Sequence, residues 1–359
     1  MSLRLTELAN LSTPSVVIDL DVARANIRRF QAYADAHGLN VRPHIKTHKL
    51  PHLAELQIEA GAVGITCQKV SEAAAMVAGS QAIRDVLITY NIVGVEKIAR
   101  LAALARQVRL SVVADSPAVV AGLSEGFAAM SAPLTVLVEC DTGANRCGVA
   151  SPGDAAALAS TIATAPGLVF GGLMTYPPAG GEAAVQRFMS EAKKLIEAKG
   201  LAVPVISSGG TPTMMQAANA PVVTEYRPGT YVYNDRSLVT RGACGWEDCA
   251  LAVLTTVISV PAATRAIVDA GSKVLTSDLL GLSGYGHVLG RDDLVIDQLS
   301  EEHGRIVSNG PIDLKVGDRL FIVPNHACVV SNMVDEVYLT EADLPEPQRM
   351  PVTARGRII

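Results

Sequence analysis

The chain has 359 residues, 49% of them hydrophobic and 18% charged, which is enough apolar material for a large folded core and excludes a disordered chain. Its length predicts one large domain and a smaller one. The formal net charge of −5 and an aromatic content of only 4% argue against nucleic acid or an acidic membrane as a partner.

The six cysteines are scattered, mostly within apolar runs, so no disulfide framework is expected. Arg4 and Glu7 interrupt the apolar segment that a secretory signal would need, so the cytoplasm is the expected location. The uncharged stretches 155–181 and 201–224 have the length of membrane spans. Prolines and glycines interrupt both of them, so we expect no membrane segment.

Strand and helix patterns alternate from residue 13 onward. A strand at 16–20 precedes a helix at 21–37, which Gly38 ends. Helical periodicity follows at 71–78, 95–105, 154–165 and 182–199. Eight β-rich runs occur at 41–48, 62–68, 85–90, 109–115, 134–141, 169–176, 203–208 and 222–232. Most are apolar on both faces, which predicts a parallel sheet covered by helices and closed as a (β/α)8 TIM-type barrel.

The helical period disappears beyond about residue 234. Runs at 250–260, 265–270, 294–299, 318–324 and 335–340 alternate or are β-branched, with Gly, Pro and Asp turns between them. The predicted fold class is therefore α/β, with a barrel followed by a mostly-β C-terminal domain. We expect residues 1–20 to pack with the β domain, residues 21–240 to form the barrel and residues 241–359 to form the β domain.

Two histidines and two lysines crowd the first predicted barrel strand, at 42–49. In a strand, His44, Lys46 and His48 would share one face and Lys49 would point elsewhere. A lysine in a barrel mouth can be desolvated, which lowers its pKa and lets its amine form a Schiff base. The alternative is a strand-end lysine that extends into solvent.

Two glycine loops follow the seventh and eighth predicted strands, where TIM barrels often bind phosphate. In the first loop, Thr211 is a good helix N-cap and Pro212 a good first helical residue. The alternative is a pair of tight turns that need glycine for their geometry. The residues that offer backbone donors in the two loops are Gly209, Gly210, Gly229 and Thr230.

His326 and Cys328 are two residues apart, so both would project to one side of an extended strand. Imidazole and thiol suit zinc, and two protein ligands leave positions open for water and substrate. A buried His and Cys without a metal are the alternative.

Arg146, after the fifth strand, could bind a carboxylate, face a ring nitrogen or form a surface ion pair. Tyr176 ends the sixth strand.

The order of these motifs resembles the D-threonine aldolase and D-serine dehydratase family across nearly the whole chain. The motifs are 13–21 (TPSVVIDLD), 42–49 (RPHIKTHK), 68–73 (QKVSEA), 141–148 (DTGANRCG), 208–211 (SGGT), 227–231 (RPGTY), 269–273 (DAGSK), 300–304 (SEEHG) and 324–328 (PNHAC). These enzymes are fold-type III pyridoxal 5'-phosphate (PLP) enzymes related to alanine racemase. The resemblance implies a PLP-binding barrel and a β domain with metal ligands.

The resemblance makes Lys46 the Schiff-base lysine, with His44 as a second catalytic residue. It places His326 and Cys328 as ligands of a divalent metal beside the substrate. It places Arg146 near the pyridine nitrogen. The cofactor-binding residues that it implies are Lys46, Arg146, Tyr176, Ser208, Gly209, Gly210, Thr211, Gly229, Thr230 and Tyr231. Tyr176 is followed by two prolines, where D-threonine aldolases carry Tyr-His-Gly.

The expected activity is that of a PLP- and metal-dependent lyase of D-β-hydroxy amino acids, with retro-aldol cleavage to glycine and an aldehyde. Elimination to an α-keto acid and ammonia, as in D-serine dehydratase, and amino-acid racemisation are the alternatives. A non-catalytic PLP carrier is disfavoured by the β domain. Zinc or manganese is expected, with zinc favoured by the sulfur ligand. We also expect a homodimer.

Overall fold

The computed structural model describes residue 8, residues 10–344 and residues 346–359. The signal-peptide prediction depends on Arg4 and Glu7 and lies outside these residues. The chain divides into two compact units. The barrel unit comprises Arg28–Lys46, Leu50–Gly229 and Arg357–Ile359, and the β unit comprises Thr47–Lys49, Thr230–Gly356 and the described residues up to Ile27. Within the described residues, no helix has the length and apolar character needed to cross a bilayer.

Strands and helices alternate through the first two thirds of the chain. In order they are β1 (Ser15–Asp19), α1 (Leu20–Ala36), β2 (Asn40–Val41), α2 (Pro51–Glu59), β3 (Ile65–Cys67), α3 (Val70–Gly79), β4 (Asp85–Asn91), α4 (Val95–Ala105), β5 (Arg109–Ala114), α5 (Pro117–Phe127), β6 (Leu134–Cys140), α6 (Pro152–Thr164), β7 (Leu168–Thr175), α7 (Glu182–Glu197), β8 (Val205–Ser208) and β9 (Glu225–Tyr226). Helices α2 and α5 were not predicted, and each begins with a proline, which suits the first helical position.

Eight parallel strands form the barrel unit, in the order β2-β9-β8-β7-β6-β5-β4-β3. The first and last of these meet, because the N–H of Val63 donates to the carbonyl of Val41 (2.9 Å) and the N–H of Thr66 to that of Pro43 (2.8 Å). Successive strands supply one buried apolar layer, made of Leu87, Val113, Leu137 and Met174. The predicted (β/α)8 barrel is confirmed.

Two of the predicted barrel strands are shorter than expected. The run at 41–48 was wrong beyond Val41, because Ile45–Thr47 is a 3₁₀ turn. The run at 222–232 yields only β9, followed by a 3₁₀ turn at Thr230–Val232. Each turn begins a few residues after its strand, at the carboxyl end of the barrel strands, where TIM barrels place their functional residues.

The β unit is built on a nine-stranded sheet in which β1 pairs with two later strands. Its later elements are α8 (Arg236–Thr240), β10 (Leu251–Ala262), β11 (Arg265–Val268), α9 (Ser272–Leu275), β12 (His287–Val288), β13 (Val295–Leu299), β14 (Gly304–Val307), β15 (Arg319–Val323), α10 (Ala327–Met333), β16 (Glu336–Thr340) and β17 (Gln348–Pro351). The strand order is β13-β14-β11-β10-β1-β16-β17, and β15 joins β10 to β12. The expected mostly-β second domain is confirmed.

Candidate active site

The segment after β2 determines where Lys46 lies. The N–H groups of Arg42 and His44 donate to the carbonyls of Tyr226 (3.0 Å) and Pro228 (2.8 Å), after which the chain turns. The prediction that His44, Lys46 and His48 share one strand face is therefore wrong. Lys46 is exposed on the 3₁₀ turn, whereas His44 is buried.

A local hydrogen bond supports the turn. Nδ1 of His44 accepts from the N–H of Lys46 at 3.4 Å, a side chain to backbone bond that competes with a strand ladder. The proton of the imidazole is then on Nε2, which lies 3.0 Å from Oε1 of Gln68. Gln68 in turn donates to the carbonyl of Thr89 (2.9 Å). The ring of His44 is thus held on both sides, and it supports the turn bearing Lys46.

The two predicted glycine loops meet within the barrel unit. The N–H of Gly229 donates to Oγ1 of Thr211 at 3.1 Å, and the hydroxyl of Tyr226 donates to the carbonyl of Gly210 at 2.9 Å. The predicted helix with Thr211 as its N-cap is wrong, because Met214–Asn219 is a 3₁₀ helix that begins after Thr213. The side chain of Thr211 joins the loops instead of capping a helix.

The two adjacent glycines differ in what surrounds them. A Cβ on Gly209 would lie 2.6 Å from the carbonyl oxygen of Arg227, so that glycine is needed for packing. A Cβ on Gly210 would have no neighbour nearer than 3.7 Å, where the ring of Tyr176 lies. Among the described residues, no acceptor bonds the N–H groups of Gly210 and Thr211. Open space beside free N–H donors fits the phosphate of PLP.

The other residues expected to bind the cofactor differ in their exposure to solvent. The guanidinium of Arg146 lies 5.0 Å from the ring centroid of Tyr176, in cation–π contact, and both side chains are exposed. Ser208 and Tyr231 are buried, in β8 and in the turn at Thr230–Val232.

Polar side chains inside the barrel were missed by the sequence analysis. Arg42 Nε donates to Glu225 (2.7 Å), whose other oxygen accepts from Ser207 (2.6 Å). Arg227 Nη1 donates to Ser207 (2.6 Å), and burial lowers the pKa of Arg227 to about 10. This network links the ends of β2, β8 and β9, which carry the lysine turn and the glycine loops.

Glu139, on β6, is a second missed residue. Burial, with a smaller contribution from Asp115, raises the pKa of this carboxyl to about 7, although Arg146 and Arg227 oppose the shift. The signal in the sequence was a single carboxylate within the apolar run of β6.

His326 and Cys328 come together in the β unit, but not on a strand. The strand β15 ends at Val323, His326 precedes the first residue of α10, and Cys328 is the second residue of that helix. The prediction of an extended His-x-Cys strand was therefore wrong. The helix begins there because the N–H of Ala327 donates to Oδ2 of Asp235 at 3.1 Å, a distant contact that local pattern does not reveal.

The two side chains of this pair stabilise each other's charged forms. Burial opposes ionisation of the Cys328 thiol, but His326, Thr230 and Thr47 lower its pKa overall. Burial likewise opposes the charging of His326, yet Cys328 and Asp278 raise its pKa to about 9. Nδ1 of His326 lies 2.6 Å from Oδ2 of Asp278. A metal ion would displace the proton of the imidazole, and a thiolate beside a neutral imidazole is a donor set that fits zinc or a related ion.

Only two ligands are available in this arrangement. The described residues contain no group of three or more His, Cys, Asp or Glu side chains placed to hold a metal ion. A two-ligand site leaves the remaining positions open, as substrate binding requires.

Two hydroxyl groups surround the Cys328 thiol. Its Sγ lies 3.1 Å from Oγ1 of Thr47 and 3.5 Å from Oγ1 of Thr230. In sequence, Thr47 follows Lys46 directly and Thr230 follows Gly229. The thiol thus contacts the residues next in sequence to the lysine and to the second glycine loop.

The fold and these motifs define a class of protein. The family model for the alanine racemase N-terminal domain matches residues 18–237, and the model for a putative serine dehydratase domain matches residues 250–340. The chain therefore belongs to the alanine racemase N-terminal domain family.

Particular relatives resemble it over almost its full length. D-threonine aldolase from Arthrobacter sp. is 34% identical, covering 97% of this chain and 94% of the relative. The crystal structure of D-threonine aldolase from Filomicrobium marinum has a TM-score of 0.90 at 32% identity, covering 98% of each chain. D-threo-3-hydroxyaspartate dehydratase from Delftia sp. is 33% identical over 89% of this chain and 92% of that protein.

Two solved variants of a D-threo-3-hydroxyaspartate dehydratase bear on the His-x-Cys pair. Each has a TM-score of 0.86 at 31% identity and covers 96% of this chain; they cover 96% and 98% of the respective solved chains. One replaces a histidine by alanine, and the other replaces a cysteine two positions later and is described as the metal-free form.

Proposed function

We propose that this protein is a PLP- and metal-dependent lyase of D-β-hydroxy amino acids, acting most readily as an aldolase that yields glycine and an aldehyde. The observation that carries the proposal is the position of Cys328, whose thiol contacts Thr47 and Thr230. These residues adjoin the lysine and the glycine loop that would hold PLP. Full-length similarity to D-threonine aldolases supports the same activity.

The barrel residues fit PLP through one covalent and several polar contacts. Lys46 would hold the cofactor through its amine, and the free N–H groups of Gly210 and Thr211 would bind its phosphate. Arg146 and Tyr176 would border its ring. When bound, PLP supplies an electron sink for the charge left at Cα when a bond to that carbon breaks.

His326 and Cys328 would hold the divalent metal. The histidine and cysteine replaced in the two D-threo-3-hydroxyaspartate dehydratase variants have the same spacing, which supports this assignment. The ion supplies Lewis acidity toward the substrate hydroxyl. A sulfur donor favours zinc over manganese. The hydroxyls of Thr47 and Thr230 would orient the thiolate toward the metal ion.

The choice between two reactions depends on which substrate bond breaks. Removal of the β-hydroxyl proton leads to cleavage of Cα–Cβ and release of an aldehyde. Removal of the Cα proton leads to loss of the hydroxyl and then to an α-keto acid and ammonia. The dehydratase alternative is supported by the Delftia relative, which is similar to this chain to nearly the same degree as the aldolases.

We further propose a homodimer, as expected from the family resemblance. Light scattering coupled to size-exclusion chromatography tests this, and a monomeric mass in the active enzyme contradicts it.

The assignment of Lys46 can be tested by reduction with borohydride. The purified protein should absorb near the visible edge, and reduction should fix PLP to the peptide that contains Lys46. Lys46→Ala should lose both signals, whereas Lys194→Ala, at an exposed lysine on α7, should retain them. We do not expect Lys49 to be labelled, because it is buried and its Nζ lies 3.4 Å from the carbonyl of Ala354. Labelling of Lys49 instead of Lys46 would contradict the assignment.

A further inference from the structure

Two sequence motifs of the β unit have no role in the proposed function. They are 269–273 (DAGSK) and 300–304 (SEEHG). The structure brings them together, because the N–H of Ser272 donates to the carbonyl of Ser300 at 2.8 Å. A Cβ on Gly271 would lie 2.3 Å from the carbonyl oxygen of Glu301, so this close approach requires glycine. The two motifs therefore hold the short helix α9 against the loop that precedes β14.

Asp278 follows α9 in a segment with unusual backbone geometry. Thr276 and Leu280, two residues to either side, have φ of +65° and +47°, a region that a β-branched residue such as threonine rarely adopts. Thr276 is buried, and its hydroxyl accepts from the N–H of Asp278 at 3.3 Å. The N–H of Leu280 donates to Oδ1 of Asp278 at 3.4 Å. These local bonds hold the carboxylate in place.

The other oxygen of this carboxylate meets a proposed metal ligand. Oδ2 of Asp278 lies 2.6 Å from Nδ1 of His326. Within the part of the chain that the structure describes, no lysine or arginine forms an ion pair with Asp278. His326 directly precedes α10, so this contact links the segment after α9 to the helix that carries Cys328.

The contact determines which ring nitrogen of His326 can bind an ion. A carboxylate accepts hydrogen bonds, so Nδ1 keeps its proton, and Nε2 is the nitrogen that can lose its own to a metal. A carboxylate on the nitrogen that does not bind the metal fixes the orientation of the ring and raises its basicity. The bond to Asp278 therefore prepares Nε2 as the donor atom.

We propose that Asp278 is the positioning residue of the metal site. Its carboxylate holds the Nδ1–H group of His326, so that Nε2 is the donor left for the ion that Cys328 also binds. The motifs 269–273 and 300–304 act through α9, because they fix where Asp278 lies. This inference rests on the metal site of the proposed function.

The experiment measures the affinity of the full-length, PLP-bound protein for Zn²⁺ by competition with a chromophoric chelator. It compares wild type with Asp278→Ala and Asp278→Asn. We expect Asp278→Ala to bind Zn²⁺ roughly 10- to 100-fold more weakly, because the ring loses the partner that orients it. Asp278→Asn should lose less, roughly three- to tenfold, since its amide oxygen still accepts from Nδ1–H but carries no charge.

Asp292→Ala is the matched control. Asp292 forms a second Asp–His contact in the β unit, 3.6 Å from Nε2 of His287, and its side chain is exposed. His287 has no part in the proposed metal site. The affinity of Asp292→Ala for Zn²⁺ should therefore equal that of wild type.

Co²⁺ in place of Zn²⁺ reports on the two ligands separately. A thiolate bound to Co²⁺ gives a charge-transfer band in the near ultraviolet, whereas the visible bands depend on the geometry of the whole ligand set. In Asp278→Ala the thiolate band should remain and the visible bands should shift. A general loss of structure would instead weaken both sets of bands and lower the melting temperature.

Wild-type Zn²⁺ affinity and an unchanged Co²⁺ spectrum in Asp278→Ala would overturn the proposal. Asp278→Asn binding as weakly as Asp278→Ala would also overturn it, since the carboxylate would then be a metal ligand itself. If Asp278→Ala does not fold, wild-type affinity in Asp278→Asn overturns the proposal. Failure of the proposed function looks different: the Zn²⁺ affinity of wild type is then unchanged in both His326→Ala and Cys328→Ala.

Discussion

At the scale of single residues, Gly209 and Gly210 are expected to respond differently to the same substitution. Gly210→Ala places a methyl group in the open space near Tyr176, at a φ of +154° that disfavours side chains. We expect PLP retention after dialysis to fall about tenfold, with a smaller fall in melting temperature.

Gly209→Ala is the matched control. Its methyl group would lie 2.6 Å from the carbonyl of Arg227, so the main effect should be a loss of thermal stability. The PLP content of the folded Gly210→Ala protein, measured by absorption, is the deciding value. Full PLP occupancy in that variant would remove Gly210 from the phosphate site.

Glu139 should make stability depend on pH. With a pKa of about 7 in the folded protein and 4.5 as its ordinary value, the carboxyl binds more protons when folded, so its contribution is lost as pH rises through this window. The amide of Glu139→Gln does not ionise, so the variant does not lose stability in this way as the pH rises. Relative to wild type, the variant should gain about 1–3 kcal/mol between pH 5 and pH 8, a few degrees in melting temperature.

The control for this comparison is Glu125→Gln, at an exposed carboxylate on α5. Its melting temperature should follow wild type at every pH. A Glu139→Gln curve parallel to that of wild type from pH 5 to pH 8 would mean that the buried carboxyl is already ionised.

At the scale of elements, the sequence predicted those structures that local pattern determines. The helix at 95–105 matches α4 in both bounds, and the run at 134–141 matches β6 within one residue, because apolar periodicity persists through each. The turn at Ile45–Thr47 and the start of α10 could not be predicted. The turn follows the bonds that Arg42 and His44 donate to carbonyls in and after β9, far along the chain, and the start of α10 depends on Asp235.

In the candidate site, too, local pattern could be predicted from the sequence and distant contacts could not. The glycine loops were found because glycine and threonine spacing is visible in sequence, whereas the bond between Thr211 and Gly229 needs the closed barrel. Cys328 was found by its spacing from His326, but its contact with Thr47 crosses 281 residues. Chemical types were therefore predictable, and their orientations were not.

The first turn of α10 should determine metal content. Removing the thiolate in Cys328→Ala, or the imidazole in His326→Ala, should lower metal bound per chain by more than roughly tenfold, as measured by plasma emission spectrometry. The PLP absorption should persist, because it depends on barrel residues. Cys147→Ala, at an exposed cysteine, is the control and should keep its metal. Normal metal content in Cys328→Ala would place the ion elsewhere.

At the scale of the whole molecule, two units with separate cores carry different parts of the proposed chemistry. The barrel unit contains Lys46 and the glycines of the two loops, and the β unit contains Thr230, His326 and Cys328. The chain belongs to the alanine racemase N-terminal domain family, and the relatives that resemble it are named as aldolases and as a dehydratase. The identity of the reaction must therefore come from its products.

The most direct test of the central claim is a product assay. The holoenzyme is incubated with D-threonine, D-serine and D-3-hydroxyaspartate, with and without a chelator, and glycine, α-keto acid and ammonia are quantified by NMR. We expect glycine and an aldehyde from at least one D-isomer, none from the L-isomers, and loss of turnover on chelation with the PLP absorption intact. Racemisation alone, or full turnover in metal-free enzyme, would contradict it.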